Sequence, residues 1–130
     1  MEEDFLIDTN VFINILAERY PEPIMQGLER IISVSFFISI INKIEILGFK
    51  DISRVEEKLF NKIINQGKII HLHDGIVEET IFLRKHVNIK LPDAIIAASC
   101  ISVNAVLLTS NTTDFRKISN LKVLNPLQLI

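Results

Sequence analysis

The feature that most constrains the fold of this chain is the alternation of short apolar runs with helical segments. The apolar runs have the length and composition of buried strands, and we predict strands at 5–7, 33–38, 68–72, 105–108 and, more weakly marked, 121–124. Helical patterns separate them, at 9–16, 24–32, 40–49, 53–66 and after Asp74 and Pro92. Such alternation is typical of a parallel sheet with helices on both faces. We therefore expect a three-layer α/β/α fold with a central parallel sheet of four to five strands.

Several predicted helices begin at recognisable capping residues. Ser39 is placed to cap the helix that follows the second strand, and Asp74 is placed to cap the long helix after the third. Ser53 and Glu56 have the spacing of a capping box, and Gly67 closes the helix that they open. These local signals support the predicted order of elements.

Length and composition indicate one globular unit that occupies residues 1–130. The hydrophobic content of 48% and the mean hydropathy of +0.34 favour a sheet that is covered on both faces. The net charge of −2 provides no overall basic field, so a nucleic-acid partner would have to be bound by local patches and a metal.

The expected cellular setting follows from the cysteine content and the N-terminus, and we expect a cytoplasmic protein. The single cysteine, Cys100, excludes an internal disulfide and a cysteine-rich zinc site, and it fits a reducing compartment. The acidic start of the chain argues against a signal peptide. The charge-free stretch 94–113 contains several polar residues and is predicted to be a helix, a turn and a strand, each too short to cross a membrane.

Four acidic residues from distant segments lie beside apolar runs, near the ends of predicted elements. They are Asp8, Glu45, Asp93 and Asp114. Ligands bind to parallel sheets at the carboxyl ends of the strands, and this topology can bring all four acids to that edge. Clustered carboxylates repel one another unless a cation joins them, and their hard oxygen atoms suit Mg²⁺ or Mn²⁺. We expect an acidic site for one or two such ions.

Each acid also has a structural explanation when it is taken alone. Asp8 could cap a helix, Asp93 could interact with a helix dipole, and Asp114 could belong to a turn. Glu45 is harder to explain in this way, because it lies within a helix among isoleucines.

Short polar residues stand beside two of the acids and could orient ligands or metal-bound waters. Asn10 follows Asp8, and Thr109 and Asn111 precede Asp114. Loop chemistry is the alternative explanation for these three residues.

The four acidic segments together resemble the motifs of the PIN-domain nucleases, in order and across essentially the whole chain. The matching segments are Leu6-Ile7-Asp8-Thr9-Asn10-Val11-Phe12, Glu45 after Ser39-Ile40-Ile41-Asn42-Lys43-Ile44, Leu91-Pro92-Asp93-Ala94-Ile95-Ile96-Ala97-Ala98 and Thr109-Ser110-Asn111-Thr112-Thr113-Asp114-Phe115. Each motif alone is weak evidence, whereas the ordered set is strong. The length and spacing are most similar to those of the small VapC-type toxins of toxin–antitoxin pairs.

This resemblance implies Mg²⁺- or Mn²⁺-dependent hydrolysis of RNA phosphodiester bonds. Asp8 and Asp93 would be the principal metal ligands, and Glu45 and Asp114 would bind metal directly or through water. Asn10, Thr109 and Asn111 would position these groups, and Lys43, Arg116 and Lys117 are candidates for phosphate contacts. The resemblance also implies a homodimer and a small antitoxin partner.

Two other classes of function remain open at the level of the sequence. The first is a catalytically silent module that keeps the fold and binds RNA or protein. The second is a receiver-like phosphoacceptor domain, although Asp8 stands alone after the first strand and no acceptor aspartate directly follows the third. A phosphatase of the haloacid-dehalogenase type is disfavoured because Asn10 stands where its Asp-x-Asp motif needs an acid.

Overall fold

The structure, a computed structural model, describes residues 3–129 and is built on one sheet of five short strands. The strands are β1 (Phe5–Ile7), β2 (Phe37–Ser39), β3 (Lys68–Ile70), β4 (Val106–Leu108) and β5 (Lys122–Leu124). They lie in the order β3-β2-β1-β4-β5, and every neighbouring pair is parallel. Leu6 in the central strand pairs with Phe37 on one side and with Leu107 on the other.

Helices connect the strands and cover the sheet. They are α1 (Thr9–Leu16), α2 (Glu22–Val34), α3 (Ile40–Leu47), α4 (Arg54–Ile64), α5 (Asp74–His86), α6 (Leu91–Ser102) and the short α7 (Thr112–Phe115), followed by a 3₁₀ turn at Pro126–Gln128. None of the helices within residues 3–129 combines the length and the apolar character needed to cross a membrane.

Two hydrophobic cores lie on opposite faces of the sheet. Because side chains alternate along a strand, Leu6 and Ile7 in β1 point into different cores. Leu6 packs in the core that contains Leu83 of α5, whereas Ile7 packs in the core that contains Phe12 of α1. This arrangement confirms the predicted three-layer α/β/α fold with a parallel sheet, and it fixes the number of strands at the upper of the two expected values.

The point at which the strand order reverses lies between β1 and β4 at the middle of the sheet. From β1 the chain builds the sheet outward to β2 and β3 on one side, and then returns to add β4 and β5 on the other. Asp8 follows β1 and its backbone N–H donates to the carbonyl of Leu108, the last residue of β4, at 2.9 Å. Parallel sheets bind ligands at this kind of crevice, so the topology directs attention to Asp8.

The local capping predictions were correct in two cases and wrong in two, one of them Gly67, which does not close α4 because the C-cap residue is Asn65. Ser39 caps α3, and Ser53 and Glu56 form the expected capping box at α4. Asp74 does not cap α5, because His73 occupies the N-cap position and Asp74 is the first helical residue. Its charge still lies in the first turn, where the helix dipole favours an anion.

The predicted strand at 33–38 was wrong at its beginning. Helix α2 continues to Val34, and the Ser33 hydroxyl donates to the carbonyl of Arg30 at 2.9 Å within the helix. The strand begins only at Phe37, after Phe36 has turned its ring into the core against Gly67. The predicted ends of 40–49 and 53–66 were also two residues too late, since α3 and α4 finish at Leu47 and Ile64.

Candidate active site

Asp8 is the buried centre of a polar cluster at the carboxyl ends of β1 and β4. Its side chain is 5% exposed and caps α1, so Oδ1 accepts a hydrogen bond of 2.9 Å from the backbone N–H of Thr9. An ionised carboxylate accepts about four hydrogen bonds, and Asp8 receives four. Two further donors reach it from the β4 side and one from the β2 side.

The donors on the β4 side are the hydroxyl of Thr109 and the amide of Asn10. Thr109 is fully buried, and its Oγ1 donates to Oδ2 of Asp8 at 2.8 Å. Asn10 Nδ2 donates to the same oxygen at 3.1 Å, while Asn10 Oδ1 accepts from the backbone N–H of Ser110 at 3.0 Å. The Asn111 backbone N–H completes this half by donating to Thr109 Oγ1 at 3.0 Å. Asn111 therefore supports the cluster through its backbone N–H, which helps to hold the Thr109 hydroxyl in place.

The donor on the β2 side is Asn42, which the sequence-based site did not include. This side chain is fully buried, and its Nδ2 donates to Asp8 Oδ1 at 2.9 Å and to Thr9 Oγ1 at 3.0 Å. The sequence contained one usable signal, because Asn42 stands three residues after the predicted cap Ser39, where capping boxes place a polar partner. The link to Asp8 spans 34 residues and has no local signature.

Glu45 lies on a solvated face of α3, which was not obvious from the isoleucines around it in the sequence. The neighbouring Ile44 is 60% exposed, and Asn42 and Ile46 are the buried residues of this helix. The Thr9 hydroxyl donates to Glu45 Oε1 at 2.9 Å. Glu45 is thereby connected to Asp8 through Thr9 and Asn42.

Asp93 and Asp114 are half-buried and lie at the start of α6 and within α7. Asp93 is in the first turn of α6, and within residues 3–129 no donor hydrogen-bonds to its carboxylate. Asp114 has Lys117 beside it, with 3.7 Å between Lys117 Nζ and Asp114 Oδ1. Of the four acids, Asp8 alone is buried, so the other three form an open, solvated side of the cluster.

The pKa values of two of the acids are raised, for different reasons. The pKa of Asp8 is raised above its usual 3.8 by burial, against the opposing effect of its four hydrogen bonds. The pKa of Asp93 is raised first by burial and then by repulsion from Asp8, Glu45 and Asp114, while Lys90 opposes the shift. The fold therefore brings Asp93 within electrostatic reach of the other three carboxylates.

The ligand set fits a hard divalent cation that keeps part of its water shell. The side chains are carboxylates with hydroxyls and amides behind them, which is the oxygen-rich chemistry that Mg²⁺ and Mn²⁺ prefer. Within residues 3–129, however, no three histidine, cysteine or acidic side chains stand close enough together to form a closed metal site. Mg²⁺ commonly binds through one or two carboxylates with waters completing the shell, so an open cluster is compatible with it.

The cysteine and the histidines at 71 and 73, within the part of the chain that the structure describes, form no second site. Cys100 is buried in the core of α6, and burial raises the pKa of its thiol to about 12, which excludes it as a nucleophile at neutral pH. His71 and His73 are exposed on the segment that leads into α5.

The chain belongs to the PIN-domain family, whose profile matches residues 5–121. This match covers the acidic positions and confirms the resemblance read from the motifs. PIN-domain nucleases are hydrolases that act on nucleic acids. No curated protein sequence matches the chain significantly.

Solved structures give the same fold over nearly the whole length. A chain in a toxin–antitoxin complex from Klebsiella pneumoniae is 30% identical, with a TM-score of 0.75 and coverage of 95% of this chain and 98% of that one. A chain of VapBC2 from Rickettsia felis, bound to a promoter DNA fragment, is 23% identical with a TM-score of 0.78 over 93% and 97% of the two chains. FitAcB from Neisseria gonorrhoeae is 19% identical with a TM-score of 0.77 over 95% and 99%.

Proposed function

We propose that this protein is a Mg²⁺- or Mn²⁺-dependent endoribonuclease and the toxin of a toxin–antitoxin pair. The observation that carries the proposal is the buried Asp8 at the strand-order switch, which accepts four hydrogen bonds. Asp8, Glu45 and Asp114 all lie close enough to Asp93 to add to the effect of burial in raising its pKa. A site that concentrates negative charge in this way would bind a divalent cation with a gain in stability. The similarity to toxin–antitoxin chains supports the biological role.

Asp8 and Asp93 would hold one or two ions, with Glu45 and Asp114 binding directly or through water. Bound there, a divalent cation would lower the pKa of a water and stabilise charge on a phosphate oxygen. The protein's own contribution is to fix the Asp8 carboxylate in one orientation, since each of its oxygens accepts two hydrogen bonds, and these bonds oppose part of the rise in pKa that burial causes. Phosphate contacts by Lys43, Arg116 and Lys117 stay a prediction.

The test of this activity is cleavage of mixed structured RNAs by the purified protein with Mn²⁺, with Mg²⁺ and with EDTA. We expect fragments only with a divalent ion, and none from Asp93→Asn, whose folding is checked by circular dichroism. Cleavage that persists in EDTA, or in Asp93→Asn at the wild-type rate, would reject the metal-dependent nuclease.

The silent binding module is the competing function, and the open spacing of the acids is the observation that favours it. A folded, partner-free protein that neither binds Mn²⁺ nor cleaves RNA would establish it. The receiver-like domain has lost its support, because the family match accounts for the order of the acids.

An antitoxin partner is supported by a groove beside the acidic cluster. The groove has a volume of about 370 Å³ and lies between α1, α3 and α4. Apolar side chains from all three regions line it, among them Leu16, Phe49 and Leu59, and Glu45 stands at its margin. An inhibitor with an apolar face and one basic side chain would fill the groove and pair with the carboxylates.

This partner can be sought as the product of the adjacent reading frame. We expect that product to suppress RNA cleavage, and we expect Leu59→Asp to weaken the suppression without reducing cleavage by the free protein. Lys58→Asp, an exposed change on the same helix outside the groove lining, is the matched control. Equal inhibition of all three proteins would place the partner elsewhere.

The homodimer is a further part of the proposal. Apolar side chains of α5, including Val77, Ile81 and Phe82, are 38–54% exposed and are available to a second copy. Light scattering on the isolated protein should give twice the 14.8 kDa of one chain. A monomer mass at micromolar concentration would contradict it.

A further inference from the structure

Asn42 occupies a position in which every polar atom of its side chain is used. Nδ2 donates to Asp8 Oδ1 at 2.9 Å and to Thr9 Oγ1 at 3.0 Å. Oδ1 accepts from the Ser39 hydroxyl at 2.7 Å and from the Ser39 backbone N–H at 3.3 Å. The residue thus belongs both to the cap of α3 and to the acidic cluster.

The surroundings permit one orientation of this amide. If the amide were flipped, its oxygen would face the Asp8 carboxylate at 2.9 Å, and its NH₂ group would face the backbone N–H of Ser39. Both contacts would be repulsive, because they would set acceptor against acceptor and donor against donor. The cap of α3 therefore fixes the amide so that its two hydrogens point into the cluster.

The orientation of Asn42 in turn fixes the direction of the Thr9 hydroxyl. Thr9 Oγ1 accepts from Asn42, so its single hydrogen is free to donate elsewhere. It donates to Glu45 Oε1 at 2.9 Å. One chain of hydrogen bonds thus runs from the Asn42 amide to the Thr9 hydroxyl and from there to the Glu45 carboxylate. The second hydrogen of the Asn42 amide is donated to the Asp8 carboxylate.

We propose that Asn42 and Thr9 are positioning residues that set the Asp8 and Glu45 carboxylates in one geometry for the divalent cation. This inference rests on the proposed function. Asp8 precedes α1 whereas Glu45 lies within α3, and within residues 3–129 the two share no direct hydrogen bond, so Asn42 and Thr9 form the connection. Removal of a positioning group of this kind typically lowers metal affinity or activity by about 10- to 100-fold.

The first experiment compares Asn42→Ala with Ser39→Ala. Each change removes half of the capping box of α3, so each should lower the thermal midpoint. Only Asn42→Ala also deletes the donors to Asp8 and Thr9. Mn²⁺ affinity, measured by electron paramagnetic resonance, should fall about tenfold or more in Asn42→Ala. It should fall much less in Ser39→Ala, because the Ser39 backbone N–H and the Asp8 carboxylate still favour the same orientation of the Asn42 amide.

The second experiment uses Thr9, which lies partly exposed, so that folding is not at stake. Thr9→Val keeps the shape and removes the hydroxyl, whereas Thr9→Ser keeps the hydroxyl. We expect Thr9→Val to weaken Mn²⁺ binding and to lower kcat by about tenfold with little change in KM for RNA, and Thr9→Ser to restore both. In a Glu45→Gln background, Thr9→Val should have a clearly smaller effect, because the charged carboxylate that Thr9 positions is already gone and only the contact of Thr9 with Asn42 is left to lose.

The outcomes separate the two levels of the proposal. Wild-type protein that binds Mn²⁺, with Thr9→Val and Asn42→Ala binding it equally well, would overturn the positioning role and leave the nuclease intact. Equal losses from Thr9→Val in the wild-type and Glu45→Gln backgrounds would also overturn it. Wild-type protein that binds no Mn²⁺ and cleaves no RNA would overturn the proposed function, and the positioning role with it.

Discussion

The two sides of the acidic cluster are built differently. On one side, Asp8 is buried and receives four hydrogen bonds from groups that are themselves held in place. On the other side, Glu45, Asp93 and Asp114 reach solvent. The pKa of Asp93 is raised by partial burial and by repulsion from the other acids. The comparison indicates that the fold supplies one fixed carboxylate and leaves the others to be drawn together by a cation.

The largest expected effect is on catalysis and is shared by both sides. Asp8→Ala and Asp93→Asn should each lower kcat/KM for RNA by about 10³-fold, since each would remove a principal ligand of the cation that stabilises the charged transition state. Quenched-fluorescence cleavage assays in Mn²⁺ would measure both. A variant that retains more than about a tenth of wild-type activity would remove that residue from the catalytic set.

The second effect is on the stability of the folded protein, and it should differ between the buried Asp8 side and the open Asp93 side of the cluster. Asp8→Ala should lower the free energy of unfolding by about 3 kcal/mol, because it leaves several buried donors without an acceptor. Asp93→Ala should not lower it in EDTA, because the change removes repulsion and no hydrogen bond within residues 3–129. Urea denaturation in EDTA measures both, and equal destabilisation would contradict the comparison.

A smaller effect concerns the groups that hold Asp8. Thr109→Val should cost about 1 to 2 kcal/mol, because the buried hydroxyl donates to Asp8 and accepts from Asn10 and Asn111. Asn111→Ala is the matched control, since Asn111 contributes its backbone N–H and makes no side-chain cap for α7. We expect the control to stay within about 0.5 kcal/mol of wild type by the same denaturation assay.

The smallest effect is the pH dependence of the metal-free protein. The pKa values of Asp8 and Asp93 are both raised in the folded state above the usual 3.8. A raised carboxyl pKa favours the folded state fully below that usual value, and this contribution is lost as the pH rises through the folded value.

In EDTA the acidic cluster should therefore lower the thermal midpoint as the pH rises from about 4 to about 7. Asp93→Asn should flatten this slope, and divalent cation should remove much of it. A slope that is identical in wild type and Asp93→Asn would show that Asp93 carries no such repulsion.

The sequence predicted those parts of the molecule that depend on neighbouring residues. Helix α1 begins at Thr9 as expected, because Asp8 is a strong local cap, and Ser39 and Ser53 cap their helices for the same reason. The beginning of β2 was missed because tertiary packing of Phe36, rather than β propensity, decides where α2 ends.

The same distinction applies to the candidate site. The four acids could be predicted because they stand beside recognisable strands and helices, and the topology of a parallel sheet gathers such positions at one edge. Asn42 and the role of Thr9 could not be predicted, since their partners lie 34 and 36 residues away in sequence. The exposure of Glu45 also depends on which face of α3 packs inward, and the surrounding isoleucines do not indicate that face.

The most direct test of the account is the effect of Mn²⁺ on thermal stability at neutral pH, for wild type and Asp93→Asn. A cation that joins the four carboxylates should stabilise the wild type in a saturable way, by about 2.7 kcal/mol at a hundred times Kd. Asp93→Asn should start more stable in EDTA and gain much less. An equal gain in both proteins, or no gain in either, would contradict the claim that this open acidic cluster is a divalent cation site.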